Sequence, residues 1–181
     1  MLTKQGPLLI AEGFATAATL HEMTEMPVIV AFNAGNLLPV AQTYRGLYPD
    51  RAIYIAGDDD RQREAERDGQ GRPKINVGRV KAEEAATAIS GQAVFPPFPP
   101  GAIGTDWNDL AQAQGRPYAA GKLREAVAIA DREQAAQGLA AAREEAGLDQ
   151  DRSQSRSLGQ IGKTFAGDRD RTPVQELGME R

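Results

Sequence analysis

The sequence has no cysteine and only one histidine among its 181 residues. Disulfides, cysteine nucleophiles, thiolate zinc sites and iron–sulfur clusters are therefore excluded within the chain, and so is a histidine-rich metal site. Positive charge is also scarce, since 21 Lys and Arg stand against 25 Asp and Glu, a formal net charge of −4. This balance argues against a protein that binds nucleic acid by bulk positive charge. It leaves open a contact with phosphate through a divalent metal held on carboxylates.

Long apolar segments are missing as well. The longest apolar runs, such as residues 27–32, are far shorter than the roughly 20 residues that a helix needs to span a bilayer. The first residues carry no apolar region typical of a signal peptide. We therefore expect a cytoplasmic protein with no membrane contact. Because apolar residues begin almost at once, at Leu8, we also expect the chain to be a piece of a longer protein.

Short apolar runs rich in β-branched residues alternate with segments of helical periodicity. The pattern predicts strands over residues 8–11, 27–32, 52–56 and 92–95, and helices over residues 13–24, 36–47 and 77–89. The polar, glycine-bearing stretch 57–73 predicts a long loop. Apolar strands that alternate with helices are typical of a parallel sheet covered on both faces. The predicted fold is α/β and Rossmann-like, with a central parallel sheet of about four strands flanked by helices.

The composition changes after residue 117, which predicts three regions. Residues 1–117 form the α/β domain. Residues 118–147 are rich in Ala, Glu, Arg and Gln and predict a C-terminal helix. Residues 148–181 contain too few apolar residues for a core, so we expect a polar, disordered tail there.

Acidic side chains follow the predicted strands at the point where each strand ends. Glu12 follows the first strand, and the acidic run 58–60 follows the third. Asp106 and Asp109 come after the fourth strand and a proline-rich linker, and their spacing places them on one side of a helical turn. Ligand sites of parallel sheets form outside the carboxyl ends of the strands. Carboxylates converging there would supply the oxygen ligands that Mg²⁺ prefers.

Each acidic group also has an interpretation that needs no metal. Glu12 could be an exposed carboxylate in the first turn of a helix, and residues 58–60 could be a solvated turn. Asp106 could be only the N-cap of the helix that begins at Trp107, itself the expected core anchor. These metal-free interpretations explain the whole set of acidic groups less well than each group alone, because repulsion among neighbouring carboxylates costs free energy unless a cation offsets it.

Four segments occur in an order that matches a known family. They are residues 10–17 (IAEGFATA), 31–37 (AFNAGNL), 76–82 (NVGRVKA) and 105–110 (TDWNDL), with the acidic run between the second and third. This set resembles the Toprim domain of plasmid and phage DNA primases. The resemblance implies a Toprim-like fold, in a fragment of a larger primase. It also implies nucleotidyl transfer that makes RNA primers in plasmid or phage replication or conjugative transfer.

The resemblance also implies roles for the acidic residues. Glu12 would be the general acid or base that activates a 3′-hydroxyl or protonates a leaving oxygen. Asp58 and Asp60 would bind Mg²⁺, or Mn²⁺ in its place, as the family's Asp-x-Asp pair. Glu12, Asp106 and Asp109 would complete the metal shell.

The basic residues and the partners follow from the same resemblance. Lys81, Arg61 and Lys74 would approach phosphate or the DNA backbone, although solvated side chains would explain them equally well. The implied partners are a DNA template and nucleoside triphosphates, together with a helicase or another replication or mobilisation protein. Asn33 departs from the family, which often carries Asp there, and the zinc module common in such primases is missing. Two alternatives therefore stay open: a Toprim nuclease that hydrolyses phosphodiesters, and a non-catalytic interaction module of DNA replication.

Overall fold

The computed structural model describes the backbone of residues 6–166 and the side chains of residues 6–143. Its helices and strands alternate along the chain as the periodicity predicts. In chain order they are β1 (Leu8–Ala11), α1 (Phe14–Thr24), β2 (Val28–Val30), a 3₁₀ turn (Ala34–Asn36), α2 (Leu37–Leu47), β3 (Ile53–Ala56), α3 (Arg61–Ala65), α4 (Val77–Ala88), β4 (Gln92–Val94), α5 (Trp107–Gln114) and α6 (Arg116–Ala166).

The four strands form one sheet in the order β2-β1-β3-β4, and every neighbouring pair is parallel. The predicted Rossmann-like α/β fold is therefore confirmed. Both central strands are buried on both faces, which explains why they appear in the sequence as uninterrupted apolar runs. No helix in the described part of the chain is both long enough and apolar enough to cross a membrane.

Side chains that alternate along the strands feed two apolar layers. Leu9 and Tyr54 face one layer, which holds residues from α1, α5 and the start of α6, and Leu8 and Ile55 face the other, which holds residues from α2 and α4. Burying each large aliphatic side chain contributes about 1.5–3 kcal/mol. Trp107 is fully buried in the first layer, with its indole N–H 3.4 Å from the Val94 carbonyl oxygen, so its predicted role as a core anchor is confirmed.

The chain divides into two compact units, Met1–Gln134 and Ala135–Arg181. The first contains the sheet and its covering helices, including the first turns of α6, where Asp131 accepts a hydrogen bond from the Tyr54 hydroxyl. The second consists of the rest of α6 as far as the backbone is described. The predicted helix over 118–147 is therefore longer than expected. Residues 148–166 contain no proline and continue the helix, and residues 167–181 of the predicted tail lie outside the described residues.

The segment after β3 also differs from its prediction as a long loop. Arg61–Ala65 form a short helix, and Arg67 pairs with Pro73 in an isolated antiparallel bridge. The helix is fixed by a distant contact, because the Arg61 guanidinium lies over the Phe98 ring at 4.8 Å and donates to the Phe98 carbonyl oxygen. Sequence periodicity does not register such a contact.

A buried ion pair holds this acidic segment against α4. The Arg79 guanidinium donates to both oxygens of Asp59, at 3.1 and 3.0 Å, and the Asn76 amide donates to the same carboxylate at 2.7 Å. Asn76 also caps α4, since its side-chain oxygen accepts from the backbone N–H groups of Arg79 and Asp60. Burial would raise the pKa of Asp59, but the hydrogen bonds from Arg79 and Asn76 and the nearby guanidinium charges lower it below its usual value.

Two glycines let α4 come this close. A Cβ at Gly78 would lie 2.8 Å from the backbone oxygen of Asp58, and a Cβ at Gly57 would lie 2.5 Å from the Ala82 Cβ. Any side chain at either position would push the helix away from the end of β3. The close packing of α4 against the end of β3 therefore requires glycine at both positions.

We expect Arg79→Met to lower the free energy of unfolding by about 2–3 kcal/mol, because it leaves the buried Asp59 carboxylate without its main partner while Arg79 itself is partly exposed. Urea unfolding followed by circular dichroism measures this change. Lys81→Met, on the same helix, breaks only the exposed pair with Glu84 and should cost at most about 1 kcal/mol. If both variants lost the same free energy of unfolding, the buried pair would stabilise the fold no more than the exposed pair does.

Candidate functional site

The acidic residues meet at the carboxyl edge of the sheet. β1 and β3 are neighbours, and Ala11 pairs with Ala56, so Glu12 and the acidic run 58–60 leave the sheet side by side. Asp106 reaches the same edge through α1, because the Thr16 hydroxyl donates to its carboxylate at 2.6 Å. Segments 90 residues apart in the chain thus share one edge.

Glu12 is half-buried where β1 turns into α1. Burial raises the pKa of its carboxyl above the usual value, a hydrogen bond from the Ala34 backbone amide opposes this, and the charges of Asp60 and Asp106 raise it further. Glu12 therefore lies close to Asp60 and Asp106 and to the turn that follows β2. A carboxyl with a raised pKa is suited to proton transfer.

Asp58 has the largest pKa shift among the carboxyls at this edge. Its pKa is raised to about 7, first by burial and then by the charges of Glu12, Asp106, Asp60 and Asp109. Its Oδ1 atom is buried and has no hydrogen-bond partner among the residues that the structure describes. A buried, unpartnered carboxylate oxygen is costly, and this cost together with repulsion from four like charges favours a bound cation.

The carboxylates of Asp106 and Asp109 each accept a backbone hydrogen bond at the start of α5. Asp106 accepts from the Asp109 backbone N–H at 2.7 Å, and Asp109 accepts from the Thr105 N–H at 2.9 Å. The interpretation of Asp106 as an N-cap is therefore correct. It does not exclude a part in the acidic site, since the charge of Asp106 acts on both Glu12 and Asp58.

Asp60 lies at the start of α3 with its carboxylate 3.8 Å from the Arg63 guanidinium. Its charge also reaches Glu12 and Asp58. The middle residue of the run differs, because Asp59 is committed to the buried pair with Arg79. Side chains alternate along an extended segment, so Asp58 and Asp60 can share one side while Asp59 occupies the other.

The carboxylates do not form a closed metal cage. Within residues 6–143, no three His, Asp or Glu side chains lie close enough together to hold an ion by themselves. The donor set still fits a hard divalent cation, since it consists of oxygens and includes the unpartnered Asp58 oxygen. Mg²⁺ commonly binds through one or two carboxylates and keeps several waters, so an open arrangement suits it.

The predicted phosphate-binding residues all have partners within the chain. Arg61 lies 3.7 Å from Asp59 and contacts Phe98. Lys74 pairs with Glu66 at 2.6 Å, and Lys81 pairs with Glu84 at 2.7 Å, both near the protein surface. The acidic residues are thus brought together at one edge, whereas these three basic residues are held by other contacts.

Four residues shape the site in ways that sequence reasoning did not predict: Thr16, Asp59, Asn76 and Arg79. Asp59 was noted only as part of the acidic run, and Asn76 carried a local signal as a capping residue before a helix. Asn33, where an acidic residue was expected from the family, caps the 3₁₀ turn by accepting from the Asn36 N–H at 3.0 Å. A turn cap needs only a side-chain oxygen, so Asn serves there as well as Asp.

Comparison with known proteins agrees with this architecture. Two proteins of Escherichia coli, both named DNA primase TraC, are similar to part of the chain. One is 48% identical over 94 residues, which make up 52% of this chain and 8% of that protein. The other is 43% identical over 93 residues, 51% of this chain and 6% of that protein. The chain thus spans less than a tenth of the length of these relatives, and no solved structure matches it.

The match to the Toprim domain covers residues 7–117, well over half of the chain. This segment includes all four strands and every acidic residue at the carboxyl edge. The predicted resemblance is therefore confirmed, and the chain belongs to the Toprim domain family.

Proposed function

We propose that this chain is the Toprim core of a DNA primase and catalyses Mg²⁺-dependent nucleotidyl transfer, joining nucleotides into an RNA primer on a DNA template. The observation that carries the proposal is the position of Asp58, whose buried Oδ1 lacks a partner among the described residues and whose carboxyl is close enough to Glu12, Asp60 and Asp106 to feel their charges. The similarity to two proteins named as primases supports this reaction.

Asp58 and Asp60 are the proposed ligands of Mg²⁺, which Mn²⁺ could replace. Glu12, Asp106 and Asp109 are the further candidates, because their charges all act on Asp58. When bound, the ion would neutralise phosphate charge and align the nucleophile with the leaving group. This chemistry would let a chain with net charge −4 act on a polyanion.

Glu12 is the proposed general acid or base. Its half-buried carboxyl and raised pKa suit a group that takes a proton from a 3′-hydroxyl or gives one to a leaving oxygen. The Ala34 amide orients the carboxyl without removing its ability to exchange a proton.

Lys74, Lys81 and Arg61 are proposed to contact phosphate groups of the nucleic acid. The pairs Lys74–Glu66 and Lys81–Glu84 are exposed and contribute little to stability, so a phosphate can replace the carboxylate partner. Arg61 lies beside the acidic run, 3.7 Å from Asp59, and would contact phosphate from that position.

The wider role is proposed from the resemblance and from the named relatives. DNA and nucleoside triphosphates are the proposed partners, and a helicase or a mobilisation protein would act with the larger primase. Plasmid or phage replication or conjugative transfer in the cytoplasm is the proposed setting. The organisation into a catalytic domain over 1–117, a helix and a tail is part of the same proposal.

We expect Glu12→Gln to reduce primer synthesis by about a hundredfold or more, because the amide cannot transfer a proton. The assay follows incorporation of labelled nucleotides on single-stranded DNA with Mg²⁺. Glu133→Gln makes the same change at an exposed position on α6 and should keep full activity.

Three outcomes would contradict the proposal. Undiminished synthesis by Glu12→Gln would remove the role of Glu12. Cleavage of DNA or RNA without nucleoside triphosphates, in place of synthesis, would favour the nuclease. Retained binding to a replication protein without Mg²⁺ binding or synthesis would favour the non-catalytic module.

The acidic cluster predicts a pH dependence of stability in metal-free buffer. The pKa of Asp58 is raised from 3.8 to about 7 in the folded chain, so the folded state holds a proton that the unfolded state has released between these values. The free energy of unfolding should therefore fall from about pH 4 to about pH 7, by roughly 2 kcal/mol for this partly screened group. Added Mg²⁺ should oppose the loss by binding the folded state.

Urea unfolding at several pH values, with and without a chelator, measures this dependence. Asp58→Asn should flatten it, since the amide does not ionise. Asp50→Asn, at an exposed position before β3, should keep the wild-type slope. A slope in Asp58→Asn equal to that of the wild type would show that another group causes the dependence.

A further inference from the structure

Two phenylalanines are exposed beside the acidic site. Phe14 is 70% exposed and Phe32 is 75% exposed, although both belong to segments whose other apolar residues enter the core. Phe14 begins α1 directly after β1, and Phe32 follows β2, the strand beside β1. Exposed large apolar side chains that share one edge of a sheet indicate a contact surface.

Phe32 is held outward by a strained backbone. Its φ of 69° lies in the left-handed region, which a bulky side chain rarely adopts. Both neighbours are fixed: the Ala31 N–H donates to the Ala11 carbonyl, and Asn33 caps the following 3₁₀ turn. Glycine would relieve this strain, yet the position carries an aromatic ring. Strain of this kind clusters at functional sites.

Both phenylalanines belong to segments that adjoin Glu12 at the carboxyl edge of the sheet. Phe14 lies two residues after Glu12 in the chain. Phe32 lies two residues before Ala34, whose amide reaches the Glu12 carboxylate. A ligand at Glu12 would therefore lie close to the segments that carry the two rings.

We propose that Phe14 and Phe32 form a stacking surface for unpaired bases of the nucleic acid strand that occupies the acidic site. Aromatic rings stack on any base and are common where proteins bind single strands. Because the chain has net charge −4, general attraction to phosphate is weak, and base stacking supplies contact free energy of another kind. The inference rests on the proposed action on nucleic acid.

A protein partner would fit this surface less well. A protein segment that covered both rings would lie over the ends of β1 and β2, beside the Glu12 carboxylate, whose charge it would have to desolvate. Charged residues are depleted at the cores of protein interfaces for this reason. A nucleic acid strand brings divalent cations with it, and they offset the same charges.

The experiment compares two fluorescent oligonucleotides of equal length in Mg²⁺ buffer with the full chain, one of thymidines and one of abasic units. Anisotropy should show tighter binding of the thymidine strand by the wild type. Phe32→Gly removes the ring and relieves the backbone strain, and Phe14→Ala removes the other ring. Each should weaken thymidine binding roughly tenfold and leave abasic binding unchanged.

Tyr118→Ala is the matched control, an exposed aromatic residue at the start of α6. It lies two residues after Arg116, which pairs with Glu22 in the last turns of α1, at the opposite end of that helix from Glu12. It should bind both strands as the wild type does. Thermal unfolding of each variant verifies that the fold is kept. Phe32→Tyr keeps an aromatic ring at this position, so it should bind the thymidine strand as tightly as the wild type does.

Three results would overturn the inference, and the failure of the proposed function can be told apart from the failure of base stacking. Equal binding of the two strands by the wild type, or an undiminished thymidine preference in both ring variants, would contradict base stacking alone. The second of these is the result expected if the rings contact a protein. Binding of neither strand by the wild type would overturn the proposed function together with this inference.

Discussion

The buried ion pair between Asp59 and Arg79 fixes the geometry of the acidic edge. It ties the turn after β3 to the first turn of α4, and Asn76 joins the same contact from the helix N-terminus. The backbone N–H of Asp59 also donates to the Thr105 carbonyl at 2.7 Å, which brings the start of α5 to the same place. Three segments distant in the chain are therefore positioned by one residue, through its carboxylate and its backbone N–H.

This arrangement holds like charges together against their repulsion. Asp58 and Asp60 flank the residue that makes the ion pair, so the pair fixes the backbone that carries both. Burial, together with the charges of the neighbouring carboxylates, raises the pKa of Asp58 to about 7. A cation at this edge would offset both the repulsion and the missing hydrogen bond of Asp58, which is the physical reason for the metal-dependent chemistry that we propose.

The sequence predicted much of this site, because the signals were local. Apolar runs located each of the four strands to within a few residues, and a parallel arrangement then placed Glu12, Asp58 and Asp60 at one edge. The motif order pointed to the Toprim family, and the match over residues 7–117 bears this out. The helix in the segment after β3 was missed because Arg61 is anchored by Phe98, a residue remote in the chain.

The sequence by itself determined the strands, their helical connections and the position of each carboxylate along the chain. Only the tertiary structure decided which of three consecutive aspartates is buried and paired, since Arg79 is 20 residues away from Asp59. It also decided that Lys74 pairs with Glu66 across the turn after α3 and that Phe32 is exposed. Periodicity and capping report contacts within a few residues, whereas charge pairing and exposure depend on which distant segments the fold brings together.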